Sequence, residues 1–207
     1  MGKKSSSSGR WLDRQRRDPY VKRVHEEGTV SRAHYKLEQL DRKYRLVAPR
    51  QAVLELGAAP GGWTRYLAER IPGGLIIAVD PLPVAGGPGV QVVVGEFGEE
   101  WVDVRIEELL AGKKLDLVLS DMAPNLSGIR AADQATSIHL ADLTLDAAGR
   151  WLKPKGSLVV KVFHGEGLDA WFAETKRKFE ITRMVKPDAS RRESREAYVV
   201  ATGWRRE

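Results

Sequence analysis

The sequence predicts an α/β fold built on a mostly parallel, seven-stranded sheet flanked by helices, and three observations predict it. Short apolar runs rich in Val, Ile and Leu recur between residues 52 and 202, and helical patterns separate them. The first run, 52–56, empties into Gly57-Ala58-Ala59-Pro60-Gly61-Gly62-Trp63, a glycine-rich turn that opens a helix. The second run closes on Asp80, 23 residues after Gly57, where nucleotide-binding βαβ units hold an acidic residue for ribose hydroxyls.

Taken in order, residues 29–47 read as a helix, because Ala33, Leu37, Leu40, Tyr44 and Val47 recur at intervals of four and three. Ser31 is placed to cap it, and Val30 to pack on Tyr35 as a hydrophobic staple. Lys36 lies beside the stripe, where its stem can follow the apolar boundary and its ammonium can reach a neighbouring cleft. Strands are expected at 52–56, 75–80, 90–94, 115–120, 157–163, 180–185 and 197–202. Helices are expected from about 62 to 70, from about 133 to 152, and around Leu168, Trp171, Phe172 and Thr175. In the longest of these, Leu140, Leu143, Ala147 and Trp151 are expected to face inward.

The glycine turn narrows the ligand. Glycine lacks Cβ and takes positive φ without penalty, so Gly57, Gly61 and Gly62 let a ligand approach the backbone. Gly57 and Gly61 stand four apart with Pro60 between them, which departs from the GxGxxG phosphate fingerprint and suits a nucleoside better than a pyrophosphate.

The composition sets outer bounds. A chain of 207 residues with 42% hydrophobic content is long enough for one domain with a real core. Having no cysteine, it has no disulfides, thiolate metal sites or cysteine nucleophiles, which is compatible with a reducing compartment. No apolar run approaches the ~18 residues of a membrane span, and the N-terminus lacks a signal-peptide core. A cytoplasmic, soluble protein is the expectation. The net charge of +6 is unevenly placed: residues 1–24 hold eight Lys and Arg against Asp13 and Asp18. We therefore divide the chain into a basic, partly disordered arm, 1–28, and a domain, 29–207. A basic arm carrying Trp11 and Tyr20 suits a polyanion with unpaired bases. The four histidines, His25, His34, His139 and His164, have no metal-ligand spacing. Neither Ser120 nor Ser157 has the His/Asp company of a hydrolase.

Ligands collect at the carboxyl ends of the strands in an open α/β sheet, which singles out Asp80, Glu96, Asp121 and Lys161. Lys161 interrupts the apolar run Val159-Val160-Lys161-Val162, and a buried ammonium needs a compensating carboxylate. Asp121, ending what should be the adjacent strand, is the natural partner. Glu196 stands at the mouth of the last strand among basic residues.

Five ordered segments carry a resemblance: Ser31-Arg32-Ala33-His34-Tyr35-Lys36-Leu37, Leu56-Gly57-Ala58-Ala59-Pro60-Gly61-Gly62-Trp63, Ser120-Asp121-Met122-Ala123-Pro124-Asn125, Val160-Lys161-Val162-Phe163 and Ser194-Arg195-Glu196-Ala197-Tyr198. Together they resemble the FtsJ/RrmJ family of S-adenosylmethionine-dependent ribose 2′-O-methyltransferases. The resemblance implies a Rossmann-like class I methyltransferase fold, S-adenosyl-L-methionine as cofactor and no metal. It implies Lys36, Asp121, Lys161 and Glu196 as the catalytic set, and cofactor contacts at Gly57, Gly61, Trp63, Asp80, Glu96 and Asp121. The implied substrate is a uridine of the A-loop of 23S rRNA in the 50S subunit, with no protein partner required; a balanced domain without an obvious exposed apolar patch makes a monomer the expectation. Glu96 departs from the family pattern, which resembles Asp there, so its carboxylate reaches one methylene further.

For such chemistry a weakly acidic ribose hydroxyl must be oriented and helped to lose its proton. Lys161 can serve by accepting that proton or by stabilising the developing alkoxide, and the sequence leaves both open. Asp121 would orient it, with Lys36 and Glu196 positioning the ribose. Three alternatives stand beside this reading: a 2′-O-methyltransferase acting on tRNA or another RNA, a non-catalytic RNA-binding assembly factor, and a nicotinamide dehydrogenase. The broken glycine spacing and Lys161 argue against the last.

Overall fold

The computed structural model describes residues 31–125, 127–191 and 193–205. The arm of residues 1–28 and the Val30 staple lie outside the described residues. The elements run α1 (Ala33–Tyr44), β1 (Ala52–Leu56), α2 (Gly62–Arg70), β2 (Leu75–Asp80), β3 (Val90–Val94), α3 (Glu100–Leu110), β4 (Leu115–Ser120), α4 (Arg130–Trp151), β5 (Leu152–Phe163), α5 (Leu168–Lys178), β6 (Phe179–Val185) and β7 (Glu196–Trp204). All seven expected strands are present.

The sheet order is β3-β2-β1-β4-β5-β7-β6. Neighbours from β3 through β5 pair parallel, and β7 alone runs against its neighbours β5 and β6. The order reverses direction between β1 and β4, and a crevice opens at the carboxyl ends of strands at such a point.

Alternation along the strands sorts side chains onto two layers. On one face Leu54, Leu56, Ile77, Val118, Leu158, Val160 and Val162 pack with α3, α4 and α5. On the other Val53, Ile76, Leu117, Leu119, Val159, Tyr198 and Val200 meet Leu37 and Leu40 of α1 and Trp63, Tyr66 and Leu67 of α2. Each such fully buried side chain contributes about 1.5–3 kcal/mol relative to exposure. Glu55 and Lys161 belong by the same alternation to the α1/α2 face.

Four expectations are corrected. The first concerns α3, which the sequence reading left unassigned. Val102, Ile106 and Leu110 bury one face of it, while Trp101 and Val104 are exposed and blur the helical period. Second, the inner side of α4 is lined by Gln134, Ser137, Ala141, Thr144, Leu145, Ala147, Ala148 and Trp151. Leu140 and Leu143 are only half-buried there. Small residues let this helix sit close to the sheet. Third, β5 begins five residues early, at Leu152 rather than residue 157. An irregularity opposite Leu115–Leu117, with Lys155 at positive φ, absorbs the extra residues. Fourth, Ser31 does not cap α1 through its side chain, which sits buried against Gly62 without a hydrogen-bond partner.

α1 is held over the sheet by polar ties to α2. The Trp63 indole donates to the Ala33 carbonyl at 2.7 Å. The Tyr66 hydroxyl donates to Asp41 Oδ2 at 2.7 Å, while Asp41 Oδ1 accepts the backbone N–H groups of Leu46 and Val47 at 2.8 and 2.9 Å. These bonds hold α1 against α2, and with it the position of Lys36.

Candidate active site

Register brings the catalytic candidates together. Ser120 pairs with Val160, which places Asp121 beside Lys161 at the ends of β4 and β5. Lys161 lies directly opposite Tyr198 on β7, and Phe163 opposite Glu196. Glu196 and Tyr198 are two apart on one strand and so share a face. α1 lays Lys36 over that face.

A continuous chain of contacts results. Lys36 Nζ stands 2.7 Å from Glu196 Oε1 and donates to the Tyr198 hydroxyl at 3.3 Å. The Tyr198 hydroxyl donates to Asp121 Oδ1 at 2.6 Å. Lys161 Nζ is 3.1 Å from that same oxygen and also donates to the Asp121 carbonyl. Two ammonium groups and two carboxylates thus alternate around a phenol. Pairing offsets the desolvation of each charge, since the Lys161 side chain is only 9% exposed and the Lys36 side chain 11%. Burial pushes the Glu196 carboxyl upward, but the Lys36 ammonium beside it and the charge of Lys161 outweigh it and leave the group below its ordinary value. Burial first, then the charges of Asp121 and Glu196, holds the Tyr198 phenol well above its ordinary range, so it stays a donor to Asp121.

The loop before β7 is tied to α1 from outside the cluster. Arg32 donates to the Ala189 carbonyl through Nε at 2.9 Å, and Gln39 Oε1 accepts the Ala189 N–H at 3.1 Å.

The other half of the crevice lies at the ends of β1, β2 and β3. Gly57 has φ 75° and Gly61 φ 108°, so both stand where an L side chain is strained. A Cβ on Gly57 would come within 2.7 Å of the Met122 backbone nitrogen, beside Asp121. The Asp80 carboxylate accepts the Ala59 N–H at 3.0 Å with one oxygen and the Leu82 N–H at 2.8 Å with the other. A carboxylate has about four acceptor sites, so it keeps capacity for two hydroxyls. Glu96 follows β3 and is exposed. Trp63 is buried, with its indole committed to α1, so only its backbone is left to face a ligand. Among the described residues no cluster of His, Cys, Asp and Glu could hold a metal ion.

The FtsJ-like methyltransferase family model matches residues 29–204. The chain belongs to this family. Within it the chain is 47% identical over 205 residues to a "Ribosomal RNA large subunit methyltransferase E" of Stutzerimonas stutzeri, covering 98% of this chain and 99% of the relative. A protein of the same name from Marinobacter nauticus is 46% identical over 203 residues, covering 98% of each. Among solved structures, a Plasmodium falciparum chain described as a ribosomal RNA methyltransferase superposes with a TM-score of 0.74 at 28% identity, covering 84% of this chain and 97% of that one.

Two residues of this FtsJ-like site escaped the reading from sequence. The sequence motifs assign Tyr198 no task, although its i, i+2 relation to Glu196 places both on one face. Glu55, the penultimate residue of β1, lies fully buried and accepts the Thr64 hydroxyl of α2 at 2.8 Å. Burial pushes its carboxyl up to about 8, with the Thr64 hydrogen bond opposing and the charges of Asp121 and Asp80 adding to the rise. A lone Glu in an otherwise apolar strand was the available signal. His34 packs edge-on between Tyr35 and Tyr66, at 5.4 and 5.2 Å between ring centres, consistent with a packing role.

Proposed function

We propose that this FtsJ-like methyltransferase transfers a methyl group from S-adenosyl-L-methionine to the 2′-hydroxyl of a uridine in the A-loop of 23S rRNA. The observation that carries the reading is the alternating set Glu196, Lys36, Tyr198, Asp121 and Lys161 beside the glycine turn. The names of relatives at 46–47% identity support an rRNA substrate in the large subunit.

The cofactor half of the crevice fits an adenosyl group. Gly57 and Gly61 leave room against the backbone, Asp80 has acceptor sites for ribose hydroxyls, and the exposed Glu96 stands at the next strand end, toward the adenine. Asp121 would border the pocket on the side of Lys161. When bound, S-adenosylmethionine supplies a methyl on a good leaving group. The chain's own residues then do the rest. Lys161 has three donor sites, two of them occupied by Asp121, and the third is available to the 2′ oxygen. Its charge, with that of Lys36, stabilises the oxygen as its proton is lost to solvent. Asp121 and Tyr198 hold Lys161 and Lys36 at fixed spacing, and Glu196 offsets the charge of Lys36. Fixed alignment of reactants contributes on the order of 7–11 kcal/mol at its upper range.

Residues 29–207 form the catalytic domain in this reading, and the basic arm 1–28 contacts RNA phosphates. The enzyme acts as a cytoplasmic monomer on the 50S subunit. No described helix is long and apolar enough to cross a membrane. The test is to incubate the protein and methyl-labelled cofactor with undermethylated 50S particles, free 23S rRNA and tRNA, then map the label. Label at one A-loop ribose in the particles is the expected result. Label on tRNA redirects the substrate, and no label on any RNA, despite binding, returns the chain to an assembly factor.

A further inference from the structure

The two edges of the sheet are built differently. β6 carries Glu180 and Arg183, and charges on an edge strand discourage further pairing. β3 reads Val90-Gln91-Val92-Val93-Val94, with no charge and no proline, and keeps a regular register with β2 over all five residues. Among the described residues no strand pairs with its outer edge. Val92 and Val94 are exposed on it, Val94 at 52%. Such an unguarded edge is a template for another strand.

α3 runs beside this edge and completes a groove of about 340 Å³, with Trp101, Val104, Arg105 and Glu108 along one wall. Trp101 is 51% exposed yet fixed in place. Its ring lies over Gly95, where any Cβ would fall 2.4 Å from the indole, and its N–H donates to Glu99 at 2.9 Å. A rigid, half-exposed indole in an apolar groove is the usual anchor of a binding surface.

Charge selects the occupant. Residues 97–110 hold five carboxylates (Glu99, Glu100, Asp103, Glu107 and Glu108), of which Glu108 pairs with Arg105 at 2.8 Å and Asp103 with Arg150, which leaves the rim net negative. RNA is repelled by such a rim, and a second copy of the chain would bring the same carboxylates against it. We propose that the β3 edge and α3 dock an extended, basic segment of a partner protein, which adds as an eighth strand with alternate apolar side chains beside Val92 and Val94 on one face and the basic side chains between them on the α3 face, beside Trp101 and the carboxylates. The groove lies beyond β2 from the Lys36–Lys161 cluster, so docking leaves the two lysines open.

The probe is a capped peptide of alternating Lys and Val, eight residues long, titrated calorimetrically into the full chain beside a Glu-Val peptide of equal length. Hydrogen exchange is followed by mass spectrometry over residues 90–104. The expected result is saturable binding of the Lys-Val peptide only, with slowed exchange across β3. Trp101→Ala and Val92→Lys should each weaken it about tenfold or more, while methyl transfer and melting temperature stay at wild-type values. Equal affinity for both peptides, unchanged exchange at β3, or wild-type affinity in both variants would overturn the proposal. Two further outcomes would also overturn it by naming another occupant. One is carbodiimide cross-links between Lys3 or Lys4 and Glu99, Glu100 or Glu108 in the free chain. The other is a concentration-dependent dimer that Trp101→Ala abolishes.

Discussion

Replacing Tyr198 by Phe removes one oxygen from the centre of the candidate active site and leaves the ring in place. That oxygen donates to Asp121 at 2.6 Å and accepts from Lys36 at 3.3 Å. Neither partner is orphaned by the change: Asp121 keeps Lys161 at 3.1 Å, and Lys36 keeps Glu196 at 2.7 Å. The loss is therefore bounded by a hydrogen bond to a charged group, about 1.5–3 kcal/mol of folding stability. What the variant loses besides is the link that fixes the two lysines relative to each other. If the reaction requires both at one oxygen, loosened spacing should lower kcat about tenfold, equivalent to ~1.4 kcal/mol in the barrier. Cofactor affinity should stay within about twofold, because the glycine turn and Asp80 are untouched. Single-turnover methyl incorporation, cofactor titration and denaturant unfolding separate these quantities. A cycle combining Tyr198→Phe with Lys36→Met should show coupling of about 0.5–3 kcal/mol in the barrier. A kcat within twofold of wild type, with additive effects in the cycle, would refute the bridging role.

Glu55→Gln tests the buried carboxyl of β1. Its folded value of about 8 lies above the ordinary 4.5, so the folded state keeps a proton that the unfolded chain sheds in that window. This contribution to stability is full below about pH 4.5, declines by about 1.4 kcal/mol per unit as pH rises, and levels off above about pH 8. The stability of Glu55→Gln relative to wild type should climb across that window in urea melts, and parallel curves would contradict it. Gly57→Ala places a Cβ at φ 75°, 2.7 Å from the Met122 nitrogen, and should cost about 2 kcal/mol or more, with loss of cofactor binding by titration. Wild-type melting and affinity in that variant would show that the turn does not need its glycine.

The sheet was legible because fully buried parallel strands read as continuous apolar runs, as Leu75–Asp80 and Leu115–Ser120 do. Helices were legible where their stripe stood out against polar surroundings, as Leu37 and Leu40 do in α1. α3 was not, because Trp101 and Val104 add apolar residues outside the stripe. On the inner side of α4, Ala147 and Trp151 are buried as expected, but Leu140 and Leu143 are not, because closeness to the sheet selects Ala, Ser and Thr over Leu there. At the site, the Lys161–Asp121 contact followed from adjacent strand ends and the cost of an unpaired ammonium. The partner of Lys36 did not, since Glu196 lies 160 residues away and only the stacking of α1 on β7 brings them to 2.7 Å. Tyr198 went unassigned because a tyrosine in a terminal strand reads as core until its hydroxyl is seen between two charged partners.

Lys161→Ala addresses the central claim most directly, with methyl incorporation into undermethylated 50S particles and cofactor affinity measured on the same preparation. The account predicts turnover reduced at least a hundredfold, on the order of 2.7 kcal/mol in the barrier, while the cofactor binds as before. Turnover at the wild-type rate would contradict it.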